Sequence, residues 1–140
     1  MCRIARERPG EITIIGLAPL SNLALAVKQD PAFAKNIKSI VLLGGTYLAQ
    51  GNTDYHCSEY NFFKDAEAAR IVFDNFTDIT IVPIEVCRVF KTMPQDIVEK
   101  PFIQTHTVKG KLVHDVFRVA LKNNGGKRGT NDPLAVAVAM

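Results

Sequence analysis

Ile12-Thr13-Ile14-Ile15-Gly16-Leu17 decides the fold: a short, nearly continuous apolar run, rich in β-branched side chains and broken off by Pro19. A run of this length suits a strand buried on both faces, as the strands of parallel sheets are. Downstream of it, Leu20, Leu23, Ala24 and Val27 recur at helical spacing through Lys28, and Pro31 after Asp30 opens a further short helical turn through Ile37. Ser39-Ile40-Val41-Leu42-Leu43 is the second strand, ended by Gly44-Gly45. A long polar loop from Thr46 to Lys64 leads to Asp65, which offers an N-cap for a helix from Ala66 to Asn75. Ile79-Thr80-Ile81-Val82 is the third strand, with Pro83 near its end. Strand, helix, strand, helix, strand predicts an α/β fold with a three-layer, mostly parallel open sheet and right-handed crossovers.

The remainder reads as helical. Pro94 to Lys100 gives one helix, and Phe102 to Asn123 a longer amphipathic one carrying Val108, Leu112, Val116, Phe117 and Leu121, weakened locally at Gly110. Gly125-Gly126-Lys127-Arg128-Gly129 is a flexible loop, and Asp132-Pro133 starts a last helix with Asp as N-cap and Pro at the first position. The chain starts about ten residues before a buried strand and stops inside an apolar helix, unlike the usual termini of a closed domain. Residues 1–140 are therefore expected to form one partial domain.

Composition narrows the function classes. The 140 residues are 47% hydrophobic with a mean hydropathy of +0.06, which describes a globular chain able to bury a core. No apolar run reaches the roughly 18 to 20 residues of a membrane span, and Met1-Cys2-Arg3-Ile4-Ala5-Arg6 lacks a signal peptide's apolar stretch. A cytoplasmic protein without a membrane partner is expected. Cys2, Cys57 and Cys87 are an odd count without CxxC spacing, so reduced thiols are expected rather than disulfides or zinc. The net charge of +3 comes from scattered residues, which argues against a nucleic-acid partner. The oligomeric state stays open, a homo-oligomer included.

In open α/β sheets ligands bind beyond the carboxyl ends of the strands. That rule gathers Leu17, the Gly44 to Lys64 loop and the Glu85 to Arg88 segment at one edge. The residues there form recognisable groups: Gly16-Leu17-Ala18-Pro19-Leu20-Ser21-Asn22; Leu43-Gly44-Gly45; Gly51-Asn52 with Glu59-Tyr60-Asn61 and Asp65-Ala66-Glu67-Ala68-Ala69; and Asn131-Asp132-Pro133-Leu134-Ala135. In this order they resemble the motifs of the inosine/uridine-preferring nucleoside hydrolase family. The first is similar to its GPLTN-type turn, the third to its GN…EFN…DPEAA stretch, and the last to its HDP-type helix start.

The resemblance implies a hydrolase that cleaves the N-glycosidic bond of a ribonucleoside to free base and ribose, assisted by Ca2+. It implies that Asn52, Glu59 and Asn61 bind the ribose, and that Asp132 is a catalytic residue binding both sugar and metal. The backbone carbonyl of Leu17 is implied as a second calcium ligand. These residue types suit that chemistry, since carboxylates and amides can clamp a vicinal diol and calcium takes hard oxygen ligands. Breaking the bond builds positive charge on the sugar ring, so the clamp and an activated water must meet there.

Departures from the family pattern matter equally. The DxDxxxDD cluster that supplies most calcium ligands in the family does not occur in this sequence, so the chain reads as the second half of such an enzyme, inactive alone. Asn131 stands where many members have histidine as acid for the leaving base, and an amide cannot serve so. The stretch from Asn52 to Glu59 is one residue longer than expected.

Plainer readings exist for each residue. Asp132 reads equally as a helix N-cap, and Glu59 and Asn61 as solvated loop residues. His56 and Cys57 are adjacent, but sequence neighbours rarely form a nucleophile and base pair. His106 or His114 could replace the missing acid if their helix borders the pocket. Glu85 either lines the pocket or pairs with Arg88. A non-catalytic nucleoside-binding or structural remnant is the alternative to the enzyme. A dinucleotide-binding domain fails, because no G-x-G-x-x-G follows a strand.

Overall fold

A computed structural model describes residues 1–89, 107–123 and 131–140. Three strands, β1 (Ile12–Gly16), β2 (Ile37–Leu43) and β3 (Ile79–Val82), form one sheet in the order β1-β2-β3, and both pairings are parallel. Seven helices are described: α1 (Cys2–Glu7), α2 (Ser21–Gln29), α3 (Tyr60–Lys64), α4 (Ala66–Asn75), α5 (Ile84–Val89), α6 (Val108–Asn123) and α7 (Asn131–Ala139). The chain divides into two compact units, Met1–Cys87 with Asn131–Met140, and Arg88–Thr130.

The first unit has three layers around β2. Side chains alternate across a strand, so Ile40 and Leu42 face one way and Val41 and Leu43 the other. Ile40 and Leu42, fully buried, meet Leu23 and Val27 of α2, Val72 of α4 and Ala5 of α1, with Phe33 and Phe76 crossing edge-to-face at 6.1 Å. Val41 and Leu43 meet Val82, Ile84, Cys87 and Ala135, which brings α7 across β2 and β1. Truncating a side chain as enclosed as Leu42 to alanine costs about 2 to 5 kcal/mol.

The expected three-layer parallel sheet is observed, with differences in detail. β2 begins at Ile37 rather than Ser39, and the turn after Pro31 is a short 3-10 turn at Ala34–Asn36. β1 is not buried on both faces: Thr13 and Ile15 are exposed while Ile12, Ile14 and Gly16 are half-buried. Among the described residues it is an edge strand that α7 covers only in part, which leaves Ile15 exposed. Helices α1, α3 and α5 add to the expected elements; each spans only five or six residues, too few for a periodic pattern. The expected helix Pro94 to Lys100, the start of the one from Phe102, and the Gly125 to Gly129 loop lie outside the described residues. No helix among the described residues is long and apolar enough to cross a membrane.

Candidate active site

The site is built where β1, β2 and β3 end. β2 runs out at Leu43, and Gly45 turns the chain with φ +78°, a left-handed conformation that glycine adopts without strain. The turned Gly45 N–H donates to Glu59 Oε2 at 3.0 Å. Glu59 is also the N-cap of α3: its Oε1 accepts from the Asn61 N–H at 2.9 Å and its Oε2 from the Phe62 N–H at 3.2 Å. Charge on the capping oxygens opposes the partial positive charge at a helix start. One side chain thus ties the end of β2 to the start of α3.

The two amides are oriented by the backbone. Asn61 is buried and donates its amide N–H to the Leu43 carbonyl at 2.9 Å, so its Oδ1 is the atom left to accept. Asn52 accepts the Tyr60 N–H on Oδ1 at 2.8 Å, leaving its amide N–H groups to donate. Its position follows from Gly51, where an added Cβ would run into the backbone of Ser58, so the loop closes on itself there. Asn52, Glu59 and Asn61 therefore offer a donor, a carboxylate and an acceptor, a set matched to a sugar diol, in which each hydroxyl both gives and takes a hydrogen bond.

Leu17, Asn52, Glu59, Asn61 and Asp132 line one cavity of about 270 Å³, and Leu43, Gly44, Tyr60, Ile84 and Asn131 complete its wall. A hollow of about 460 Å³ beside α1 is larger but carries none of these residues. Glu59 and Asn61 are buried rather than solvated, whereas Asn52 and Asp132 are exposed at the cavity rim. Asp132 is not the N-cap of its helix. α7 already includes Asn131, which puts Asp132 in the first turn, where its charge still favours the helix start.

Other expected residues stand apart. His56 and Cys57 do not line the cavity; the His56 backbone carbonyl accepts the Gly51 N–H and closes the loop. Glu85 does not line it either. It is buried below the loop, its Oε1 accepting the Thr46 hydroxyl and the Leu48 N–H. Burial pushes the Glu85 carboxyl up, but the Thr46 hydroxyl and the N–H groups of Leu48, Glu85 and Tyr47 prevail and hold it below its ordinary range. Cys87 lies behind the cavity; burial, then the charges of Asp132 and Glu59, push its thiol up and keep it protonated. His114 belongs to the second unit, with its Nδ1 3.6 Å from Asp115, and His106 lies outside the described residues.

Ser21 and Asp65 are legible in the sequence only as helix-start residues. Asp65 caps α4 through the Ala68 N–H at 3.0 Å and also accepts the Ser21 hydroxyl, and these bonds hold its carboxyl below the usual range. The bond joins the start of α2 to the cap of α4.

For a metal, the donors fit in kind but not in number. Asp132 and Leu17 line the same cavity, and a carboxylate and a backbone carbonyl are both hard oxygen donors. Among the described residues no three His, Cys, Asp or Glu side chains gather as a metal would require.

A parallel α/β sheet with a polar, sugar-sized cavity at its strand ends defines the class. The family profile of the inosine-uridine preferring nucleoside hydrolases matches residues 1–140, and the chain belongs to this family. It is 45% identical to uridine nucleosidase 1 of Arabidopsis thaliana over 93 residues, which cover 66% of this chain and 27% of the relative. Among solved structures, a plant nucleoside hydrolase, the PpNRh1 enzyme, superposes with a TM-score of 0.80 at 30% identity, covering 99% of this chain and 44% of that one. A purine-preferring ribonucleoside hydrolase from Gardnerella vaginalis superposes with a TM-score of 0.79 at 27% identity, covering 99% and 45%. The chain thus spans less than half the length of these relatives.

Proposed function

We propose that this chain supplies the ribose-clamping half of a nucleoside hydrolase site. In the reaction, water adds to C1′ of the ribose as the C1′–N bond breaks, its electron pair leaving with the base, which takes up a proton. The observation that carries the reading is the single cavity bringing Asn52, Glu59, Asn61 and Asp132 together with Leu17. Asn52 donates to one ribose hydroxyl, Asn61 accepts from another, and the free lone pair of Glu59 Oε1 takes a third contact. These contacts gain most when the ring flattens toward its cationic transition state.

Asp132 is the proposed catalytic residue of this half, holding a ribose hydroxyl and, with the Leu17 carbonyl, Ca2+. A bound calcium ion would orient the diol and lower the pKa of the attacking water. The remaining ligands and the base that activates water belong to the aspartate motif, which this sequence does not contain. Asn131 borders the cavity but has no proton to give, so the departing base is protonated by another group or leaves unprotonated. A cytoplasmic enzyme is part of the proposal. Asn131 also favours a second reading, a non-catalytic nucleoside-binding remnant. Calcium titration and ribose release, measured on the chain joined to an aspartate-bearing N-terminal half from a family member, with and without Asp132→Asn, separate them. Loss of both in the variant supports the enzyme; tight nucleoside binding without hydrolysis in the parent supports the remnant.

A further inference from the structure

The geometry points to Glu85 as a positioning residue: its buried carboxylate hangs the turn from Thr46 to Gln50 and thereby sets Asn52 at the cavity. The inference rests on the proposed ribose clamp and extends it to a residue that touches no substrate.

Glu85 is only 7% exposed, and a glutamate is almost never so buried unless its charge is engaged. Its Oε1 takes the Thr46 hydroxyl and the Leu48 N–H, while Oε2 is buried without a hydrogen-bond partner among the described residues. An apolar side chain would fill this space without that desolvation cost, so packing alone does not account for a glutamate. What it supplies is an acceptor reaching up from the start of α5. The Thr46 hydroxyl, held by Glu85, accepts in turn from the Gln50 N–H at 3.0 Å, which extends the tether across the turn. Beside it, the Ile84 N–H donates to the Gly45 carbonyl at 3.1 Å, so two consecutive residues of α5 grip the same segment.

The turn so held is strained. Ala49, between the two tethered N–H groups, has φ 53°, which an alanine adopts only where its surroundings over-determine it. Release of Glu85 lets Ala49 relax, and Gln50 and Gly51 move with it. Asn52, which donates its N–H to the Ser58 carbonyl and accepts the Tyr60 N–H, is held on that side, and the turn fixed by Glu85 holds its other side. Glu59 and Asn61 keep their own anchors in α3 and at the Leu43 carbonyl, so the effect is confined to one arm of the clamp.

The test is a double-mutant cycle on uridine hydrolysis by the chain joined to an aspartate-bearing N-terminal half from a family member. Asn52→Ala should raise KM about tenfold, the worth of one hydrogen bond to the ribose. Glu85→Ala should raise it similarly, and the double variant should be no worse than Asn52→Ala alone, because both remove the same contact. Glu85→Gln retains an acceptor and should recover most of the affinity. In amide exchange, Leu48 and Gln50 should lose protection in Glu85→Ala and keep it in Glu85→Gln. Additive, roughly hundredfold, loss in the double variant overturns the inference, as does Gln failing like Ala. If the parent neither binds nor cleaves nucleosides, the proposed function falls and this inference with it; additive losses in an active parent sink the inference alone.

Discussion

Removing the Glu59 side chain strikes the site and the fold together, and its size can be worked out. Glu59→Ala leaves the N–H groups of Asn61, Phe62 and Gly45 without their acceptor. Loss of an N-cap costs about 1 kcal/mol, and a hydrogen bond to a charged partner about 1.5 to 3 kcal/mol. Because one carboxylate serves all of these bonds, a total near 3 kcal/mol is expected rather than their sum. Glu59→Asp separates the contributions. Aspartate is a good N-cap but is one methylene shorter, so it keeps α3 capped and loses the tie to Gly45, costing about 1.5 kcal/mol. With a urea slope near 2 kcal/mol/M, the midpoints should fall by about 1.5 M for Ala and about 0.75 M for Asp. Amide exchange should show Gly45 deprotected in both variants and Asn61 only in Ala. Equal shifts for the two variants, or an unmoved midpoint in Glu59→Ala, would refute the double role given to this carboxylate.

Further outcomes follow from the same geometry. Asp30, held low by the hydrogen bond and charge of Arg6, Asp65, held low by Ser21, and Glu85 all bind protons less readily folded than unfolded. Their contribution is fully present above their ordinary values, 3.8 for aspartate and 4.5 for glutamate, and is lost as pH falls through the lowered folded values. The thermal midpoint should thus be flat from neutral pH down to that range and then drop; a steady rise on acidification would contradict it. Thiol labelling followed by mass spectrometry should modify exposed Cys57 first, half-buried Cys2 next and Cys87 only on unfolding. Gly51→Ala, which forces the loop off the Ser58 backbone, should weaken nucleoside binding about tenfold while leaving the urea midpoint within about 0.5 M, as surface-loop changes do.

Much of this architecture is legible because it rests on patterns that survive in one sequence. The apolar runs of β2 and β3 and the 3.6 period of α2 forecast the sheet and its helical layer, and Asp65 announces α4 as a cap. The strand-end rule gathers Leu17 and the Gly44 to Lys64 loop at one edge, and the family resemblance adds Asp132; Leu17, Glu59, Asn61 and Asp132 line one cavity. What stays hidden depends on partners distant in sequence. Nothing around Glu59 signals that it caps a five-residue helix while also holding Gly45, fourteen positions back. Likewise Thr46 and Leu48 carry no mark of Glu85, nor Ser21 of Asp65. The open face of β1 escapes the sequence because an apolar run does not say whether a strand is central or at the edge. Asp132 sits in the first turn of α7 rather than at its cap, since Asp-Pro fits an N-cap as well as the first turn.

If this chain holds one half of a ribose and calcium site whose other half is an aspartate motif, neither half should work without the other. Ribose release from inosine and uridine tests this most simply, assayed with calcium for the 140-residue chain alone and for the chain joined to an aspartate-bearing N-terminal half from a family member. No measurable hydrolysis is expected from the chain alone, because Asp132 and one carbonyl fall short of the roughly six to eight oxygens calcium takes. The joined protein should be active, and Asp132→Asn should abolish that activity. Robust hydrolysis by the 140 residues themselves, or an unchanged rate in Asp132→Asn, would contradict the half-site reading.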